Sequence, residues 1–127
     1  MAVLDRDYPA GADAALAGGR VNLHCDVSSG ASCEQAVARA AQALGGIDVL
    51  VNNAGIVAAT RIWDLPEDEF RRMLDVNLTG TYNVTRAALP HLFESGRGPA
   101  IVNLARPPHC AAAGCWAVRT MPRPRAA

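Results

Sequence analysis

At 127 residues and 13.3 kDa the chain has room for one domain, and with half its residues apolar and 19% charged it reads as globular. The formal charge is zero, which argues against a general polyanion binder, although residues 1–94 carry a net −5 and residues 95–127 a net +5. All twelve basic residues are Arg. The absence of Lys excludes Schiff-base chemistry, a phosphate-loop Lys and any Tyr–Lys acid/base pair within these residues.

Ala2 to Asp5 is a short apolar run ending in an acid, as a strand would be. The Ala-rich stretch from Tyr8 to Gly19, with Pro9 at its front and a glycine pair at its end, suits a short helix. Arg20 to Cys25 alternates as a strand and stops at Asp26. Ser32 to Leu44 keeps helical spacing through Ala36, Val37, Ala40 and Leu44. Ser32 and Gln35 match a capping box, and Gly45-Gly46 supplies the stop.

Ile47 to Val51 is a nearly continuous β-branched run, the pattern of a strand covered on both faces. Pro66, Glu67 and Glu69 open a helix in which Phe70, Met73, Leu74, Leu78, Tyr82 and Thr85 hold one spacing to about Pro90. Ala100 to Leu104 is again a buried strand. Strands alternating with helices predict an α/β domain with a parallel sheet over residues 1–105. Residues 106–127, rich in Pro, Arg, Ala and Cys without periodicity, predict an irregular tail.

The four Cys follow no zinc-ligand spacing, so no metal site is expected. His109, Cys110 and Cys115 offer three ligands at most, short of the four a structural zinc prefers. The tail's Arg residues give only a weak case for nucleic acid, and no partner of that kind is expected. No apolar run is long enough for a bilayer, and Asp5 and Asp7 stand where a secretory signal needs basic and apolar residues. A cytoplasmic protein without membrane partners is the expectation.

Ile47-Asp48-Val49-Leu50-Val51-Asn52-Asn53-Ala54-Gly55 resembles the fourth strand of the short-chain dehydrogenase/reductase family. Taken alone, its Asn-Asn-Ala-Gly ending is also a plausible turn. Cys25-Asp26-Val27 resembles the family's Asp-hydrophobic pair after its third strand, where the acid meets adenine; in isolation Asp26 reads equally as a helix cap. Val3-Leu4-Asp5-Arg6 resembles the end of the second strand, where an acid takes the adenosine ribose hydroxyls. Asp5 therefore favours NAD over NADP, while the adjacent Arg6 tempers that preference. Asp75-Val76-Asn77-Leu78-Thr79-Gly80 resembles the segment holding the family's catalytic Asn, which implies a proton-relay role for Asn77; the plainer reading bonds its side chain to backbone. Ala100 to Ala105 resembles the fifth strand.

The resemblance covers residues 2–105 and implies strands two to five of a doubly wound, Rossmann-type parallel sheet. It implies an oxidoreductase acting on an alcohol or carbonyl of a small molecule, with cofactor contacts at Asp5, Arg6, Asp26, Val27, Asn53, Ala54 and Gly55. It also marks what is missing. The family's first strand and glycine-rich loop, expected between the second and fourth strands, have no counterpart here, so cofactor binding should be weak or absent. Arg106 stands where the catalytic Ser would follow, and neither Tyr nor Lys stands near Arg119 and Arg123. The sequence thus predicts a truncated or frameshifted, catalytically incomplete relative. The alternative is a non-catalytic subunit of a homo- or hetero-oligomer formed through the helix from Asn77 to Phe93.

Overall fold

The computed structural model describes residues 1–9, 14–16, 19–58, 60–105 and 116–120. In chain order these form β1 (Ala2–Asp5), β2 (Ala14–Leu16), β3 (Arg20–His24), α1 (Gly30–Leu44), β4 (Val49–Asn52), α2 (Glu67–Leu74), a π-helical turn (Asp75–Thr79), α3 (Gly80–Glu94), β5 (Ala100–Leu104) and β6 (Trp116–Thr120). The alternation of strand and helix is the α/β architecture that the sequence predicts. The strands do not share one sheet. β1 pairs parallel with β3, β4 pairs parallel with β5, and the two pairs lie in separate three-stranded sheets ordered β1-β3-β2 and β4-β5-β6. The break falls between β1 and β4, where the family's sheet places its first strand.

Three expectations about elements need correction. Within the predicted helix from Tyr8 to Gly19, Ala14–Leu16 is instead a strand, antiparallel to β3. Alanine's helical preference is weak against an open strand edge that needs partners, and Gly19, at φ 73°, turns the chain back one residue before β3 begins. The predicted single helix from Pro66 to Pro90 is interrupted at Asp75–Thr79, where Gly80 N–H bonds to the Asp75 carbonyl five residues back. In the tail predicted to be irregular, Trp116–Thr120 runs antiparallel to β5, with Leu104 opposite Trp116 and Ala100 opposite Thr120. Its run of Trp, Val and Thr carries strand propensity that the surrounding Pro and Arg obscure. His109, Cys110 and Cys115 lie outside the described residues.

Capping also differs in detail. The N-cap of α1 is Ser29, whose hydroxyl accepts from Ser32 N–H at 3.4 Å, and the Ser32 hydroxyl accepts from Asp26 N–H at 3.0 Å. At the other end Gly45 takes a left-handed φ of 70° and closes α1 as expected. Pro66 precedes α2, with Glu67, Asp68 and Glu69 in the first turn and Arg71 and Arg72 in the last, the order that suits the helix dipole.

The helices α1 and α3 pack on each other and supply most of the core: Cys33, Ala36 and Val37 from one, Val84, Ala88 and Leu92 from the other. Small residues at this contact let the helices approach closely. Cys25 and Ile101 complete the cluster, and Leu4 of β1 and Leu50 of β4 pack against it, so both sheets rest on one helical layer. The layer is joined at its N-terminal end by a tight contact. A Cβ on Gly80 would stand 2.8 Å from Val27 Cγ2, and Asn83 Nδ2 donates to the Val27 carbonyl at 3.0 Å. Among the described residues no helix is long and apolar enough to cross a membrane.

Candidate functional site

Parallel strands put their C-terminal ends on one side, and open α/β sheets bind ligands there. The ends of β1, β3 and β4 deliver Asp5, Asp26 and Asn53 in turn. β1 and β3 are in register from Ala2 opposite Val21 to Asp5 opposite His24, and Cys25 N–H donates to the Asp5 carbonyl at 3.0 Å. This pairing sets Asp5 and Asp26 on neighbouring strand ends.

Asp5 is exposed, and its Oδ1 accepts from Asp7 N–H at 3.0 Å, which fixes the carboxylate at the strand's tip. Arg6 Nε lies 3.9 Å from Asp7 Oδ1. Asp26 is half-buried and its carboxyl is held below the usual range. The Ser28 hydroxyl (2.7 Å) and then the Ser28 N–H (3.0 Å) donate to its Oδ1, with Arg6 and His24 adding attraction. Val27 is half-buried; its carbonyl accepts from Asn83 and its side chain meets Gly80. Asp26 therefore closes the turn before α1, whose N-cap is Ser29, and still presents a charged carboxylate.

Asn52, Asn53, Ala54 and Gly55 divide between structure and site. Asn52 is buried, and its Nδ2 donates to Asn103 Oδ1 at 2.8 Å and Thr85 Oγ1 at 3.0 Å, tying β4 to β5 and to α3. Asn53, Ala54 and Gly55 are exposed and leave the strand end open to a ligand's approach. Beyond them, Asn77 grips the backbone of Ile56. Its Oδ1 accepts from Ile56 N–H at 2.8 Å, and its Nδ2 donates to Ile56 C=O at 2.9 Å. The amide thus spends one hydrogen and one lone pair on a loop 21 residues away, and retains one of each. A Cβ on Gly55 would lie 3.4 Å from Asn77 Oδ1. The Asn77 carbonyl accepts from Thr81 Oγ1 at 3.0 Å.

The predicted residues fall into two groups: Asp5, Arg6, Asp26 and Val27 at the ends of β1 and β3, and Asn53, Ala54, Gly55 and Asn77 at the end of β4. Asn83 and Gly80 position Val27, and Thr85 holds Asn52 beside the predicted Asn53. The signal available for Thr85 and Asn103 was their polarity inside otherwise apolar elements. Past Ile56 the loop exposes Val57, Ile62 and Trp63, with the Arg61 guanidinium 5.6 Å from the Trp63 ring centre.

Two carboxylates stand beside each other to accept from hydroxyl and amino groups, and an exposed strand end admits a flat ligand. No Gly-x-x-x-Gly-x-Gly run occurs among the 127 residues.

Comparison with known proteins extends this reading. A model of the short chain dehydrogenase family matches residues 11–106. The chain is 43% identical over 102 residues to a 3-alpha-(or 20-beta)-hydroxysteroid dehydrogenase of Mycobacterium bovis, a match covering 80% of this chain and 38% of that protein. It is 43% identical over 81 residues to the 2-dehydro-3-deoxy-L-rhamnonate dehydrogenase (NAD(+)) of Sphingomonas sp., covering 63% of this chain and 32% of the relative. Among solved structures, a short chain dehydrogenase from Mycobacterium smegmatis superposes with a TM-score of 0.65 at 34% identity, covering 75% of this chain and 40% of that one. The aldohexose dehydrogenase of Thermoplasma acidophilum gives 0.62 at 36%, covering 66% and 32%. The chain spans about a third of the length of the curated relatives it matches.

Proposed function

The chain belongs to the short-chain dehydrogenase/reductase family, and from that premise we propose that it carries the adenosine side of a nicotinamide-cofactor site in an oxidoreductase acting on an alcohol or carbonyl of a small molecule. The observation that carries this reading is the placement of Asp5, Asp26 and Asn53 at the C-terminal ends of parallel strands. Asp5 accepts hydrogen bonds from the ribose hydroxyls, and its charge disfavours a 2′-phosphate, so NAD is the cofactor and NADP the poorer fit. Arg6, whose Nε lies 3.9 Å from Asp7 Oδ1, tempers that preference. Asp26 stays ionised to accept from the adenine amino group, and Asn53 to Gly55 offer unobstructed backbone.

Nicotinamide would supply the hydride acceptor. What these residues lack is a partner for the substrate's proton. There is no Lys, Tyr82 sits exposed on α3, and Tyr8 accepts from Arg20 at 3.4 Å and holds His24 Nδ1 through its carbonyl at 2.7 Å. General acid–base help is worth roughly 10²–10⁴ in rate. These 127 residues are therefore a catalytically incomplete set, in which Asn77 acts as a positioning residue for the Ile56 loop.

Two measurements test the proposal. Saturation-transfer NMR with adenosine should show contact that Asp5→Ala weakens; no contact at all would overturn the adenosine reading. NADH fluorescence titration into the millimolar range should show no saturable binding. Tight binding, or alcohol oxidation with contaminating dehydrogenases excluded, would overturn the incompleteness.

A second reading, a subunit of a larger assembly, draws support from α3. Leu78, Tyr82 and Phe93 stand 66%, 60% and 53% exposed on the segment from the π turn to the helix end, large apolar area for a solitary chain. Co-purification with a full-length relative, abolished by Tyr82→Glu, would establish it; a monomer in the relative's presence would not.

A further inference from the structure

Two of the chain's four Cys meet in the core. Cys25 directly follows β3 and Cys33 is the fourth residue of α1, so the turn between them carries Asp26, Val27 and the N-cap Ser29. Both are free thiols, and their Sγ atoms are in contact at 4.0 Å, at 2% and 0% exposure. The pair is chemically unequal. The single hydrogen on Cys33 Sγ has three acceptors in reach: the Val27 carbonyl at 3.5 Å, the Asp26 carbonyl at 3.8 Å and Cys25 Sγ. Turned towards Cys25, that hydrogen stabilises a thiolate and holds the Cys25 thiol below its usual range, with a lesser contribution from Ser32 and against the effect of burial. The same contact, and then burial, push the Cys33 thiol up. A nucleophilic sulfur thus touches one that keeps its proton, the arrangement of an attacking and a resolving cysteine.

We propose that Cys25 and Cys33 are a site of reversible oxidation by a small hydroperoxide, Cys25 attacking the peroxide and Cys33 closing an intrachain disulfide. The Cys25 thiolate attacks one peroxide oxygen and the O–O bond breaks. The leaving oxygen takes back from solvent the proton that Cys25 had released, and departs as water or an alcohol. Cys25 is then a sulfenic acid. Cys33 Sγ attacks Cys25 Sγ, the S–O bond breaks, and the Cys33 proton leaves with the hydroxyl as water. Two thiols and one hydroperoxide give one disulfide, one water or alcohol and one further water, the sulfurs losing the two electrons that the peroxide gains. Contact favours closure over further oxidation, because the resolving sulfur need advance only about 2 Å to bonding distance. Burial sets the class of oxidant: hydrogen peroxide enters through small local openings, whereas a bulky disulfide does not reach sulfurs covered this completely. The bond closes a ring over residues 25–33, which includes Asp26 and Ser29. The inference does not rest on the cofactor reading, since its readouts are sulfur chemistry.

The test exposes the whole folded chain, freed of reductant, to submillimolar hydrogen peroxide, quenches with catalase, unfolds in urea with iodoacetamide and cuts with trypsin. Arg20 and Arg39 bound a peptide holding Cys25 and Cys33, while Cys110 and Cys115 fall together in the peptide between Arg97 and Arg119, because Arg106 precedes proline and resists cleavage. The 21–39 peptide should be unalkylated and two hydrogens lighter than its dithiol form, and dithiothreitol should restore alkylation at both Cys. Cys33→Ser should stop at a sulfenic acid on Cys25, which dimedone captures on unfolding. Cys25→Ser should slow loss of the Cys33 thiol by about tenfold or more. Alkylation of both Cys in the treated wild-type chain, a sulfinic acid without a disulfide, or a bridge to Cys110 or Cys115 would each overturn the proposal. Equal thiol loss in the two Ser variants would overturn it as well.

Discussion

Asn77 and Ile56 form a two-bond clamp, the amide side chain of one satisfying both the N–H (2.8 Å) and the C=O (2.9 Å) of the other. The π turn that carries Asn77 is thereby tied to the loop that follows Gly55. Asn77→Ala should release Ile56 and cost about 1–2 kcal/mol, two net hydrogen bonds at an exposed site. Asn77→Asp should be worse at neutral pH, because a carboxylate would face the Ile56 carbonyl without a proton to offer. Urea midpoints, with exchange at the Ile56 amide, measure both. An unchanged Ile56 amide in Asn77→Ala would show that the clamp holds nothing.

Asp26 makes acid sensitivity predictable in sign. Its folded pKa is depressed, chiefly by the Ser28 hydroxyl, so its contribution is present above the unfolded carboxylate range and is lost as pH falls through the folded value. Ser28→Ala should raise the Asp26 pKa and remove part of that contribution. The acid limb of stability, followed by urea midpoint from pH 7 downward, should flatten in the variant. Carboxyl-carbon NMR titration assigns the shift to Asp26, and an identical titration in the variant would contradict the bonding described.

Gly80 is a helical position where alanine should lose. Alanine gains about 1 kcal/mol in helix propensity over glycine, but its Cβ would meet Val27 Cγ2 at 2.8 Å and Val27 Cβ at 3.0 Å. Overpacking of that kind costs about 1–3 kcal/mol. Gly80→Ala is therefore expected to destabilise, and Val27→Ala in the same chain should recover much of the loss. A double-mutant cycle on unfolding free energies reads the coupling, and additive effects would place the two residues apart.

Cys25 and Cys33 are buried thiols in contact, Sγ to Sγ 4.0 Å, at 2% and 0% exposure. The neighbouring Cys25 and then burial push the Cys33 thiol up, so it stays protonated. Iodoacetamide should leave both unmodified in the native chain and label both in urea, as peptide mass mapping resolves. Rapid native labelling of Cys33 would mean that α1 does not stay packed on its turn.

Much of this architecture is legible in the sequence because period and punctuation agree. β-branched runs mark β4 and β5, and Gly45 stops α1 where a left-handed residue is required. The motifs also gave the strand-end residues, since Asp5, Asp26 and Asn53 owe their places to local chain order. What sequence concealed was non-local. The stripe from Phe70 to Thr85 reads as one helix, yet the π turn shifts its phase. Leu78 and Tyr82 are consequently exposed while Val84, Ala88 and Leu92 face the core. Ala14–Leu16 and Trp116–Thr120 became strands because β3 and β5 had edges to satisfy, a demand that no window of a dozen residues displays. Asn52 with Asn103 and Thr85 is likewise a contact between segments far apart in the chain.

Those two antiparallel additions bear on behaviour in concentrated solution. A bare strand edge is a template for aggregation, and nature blunts such edges by covering them or keeping them short. β6 covers the outer flank of β5, and the three residues of β2 give the other sheet only a stub to present outward. Fibre-like stacking along those two flanks is thus discouraged, and whatever tendency the chain has to precipitate is concentrated at the bare edges of β1 and β4 among the described residues.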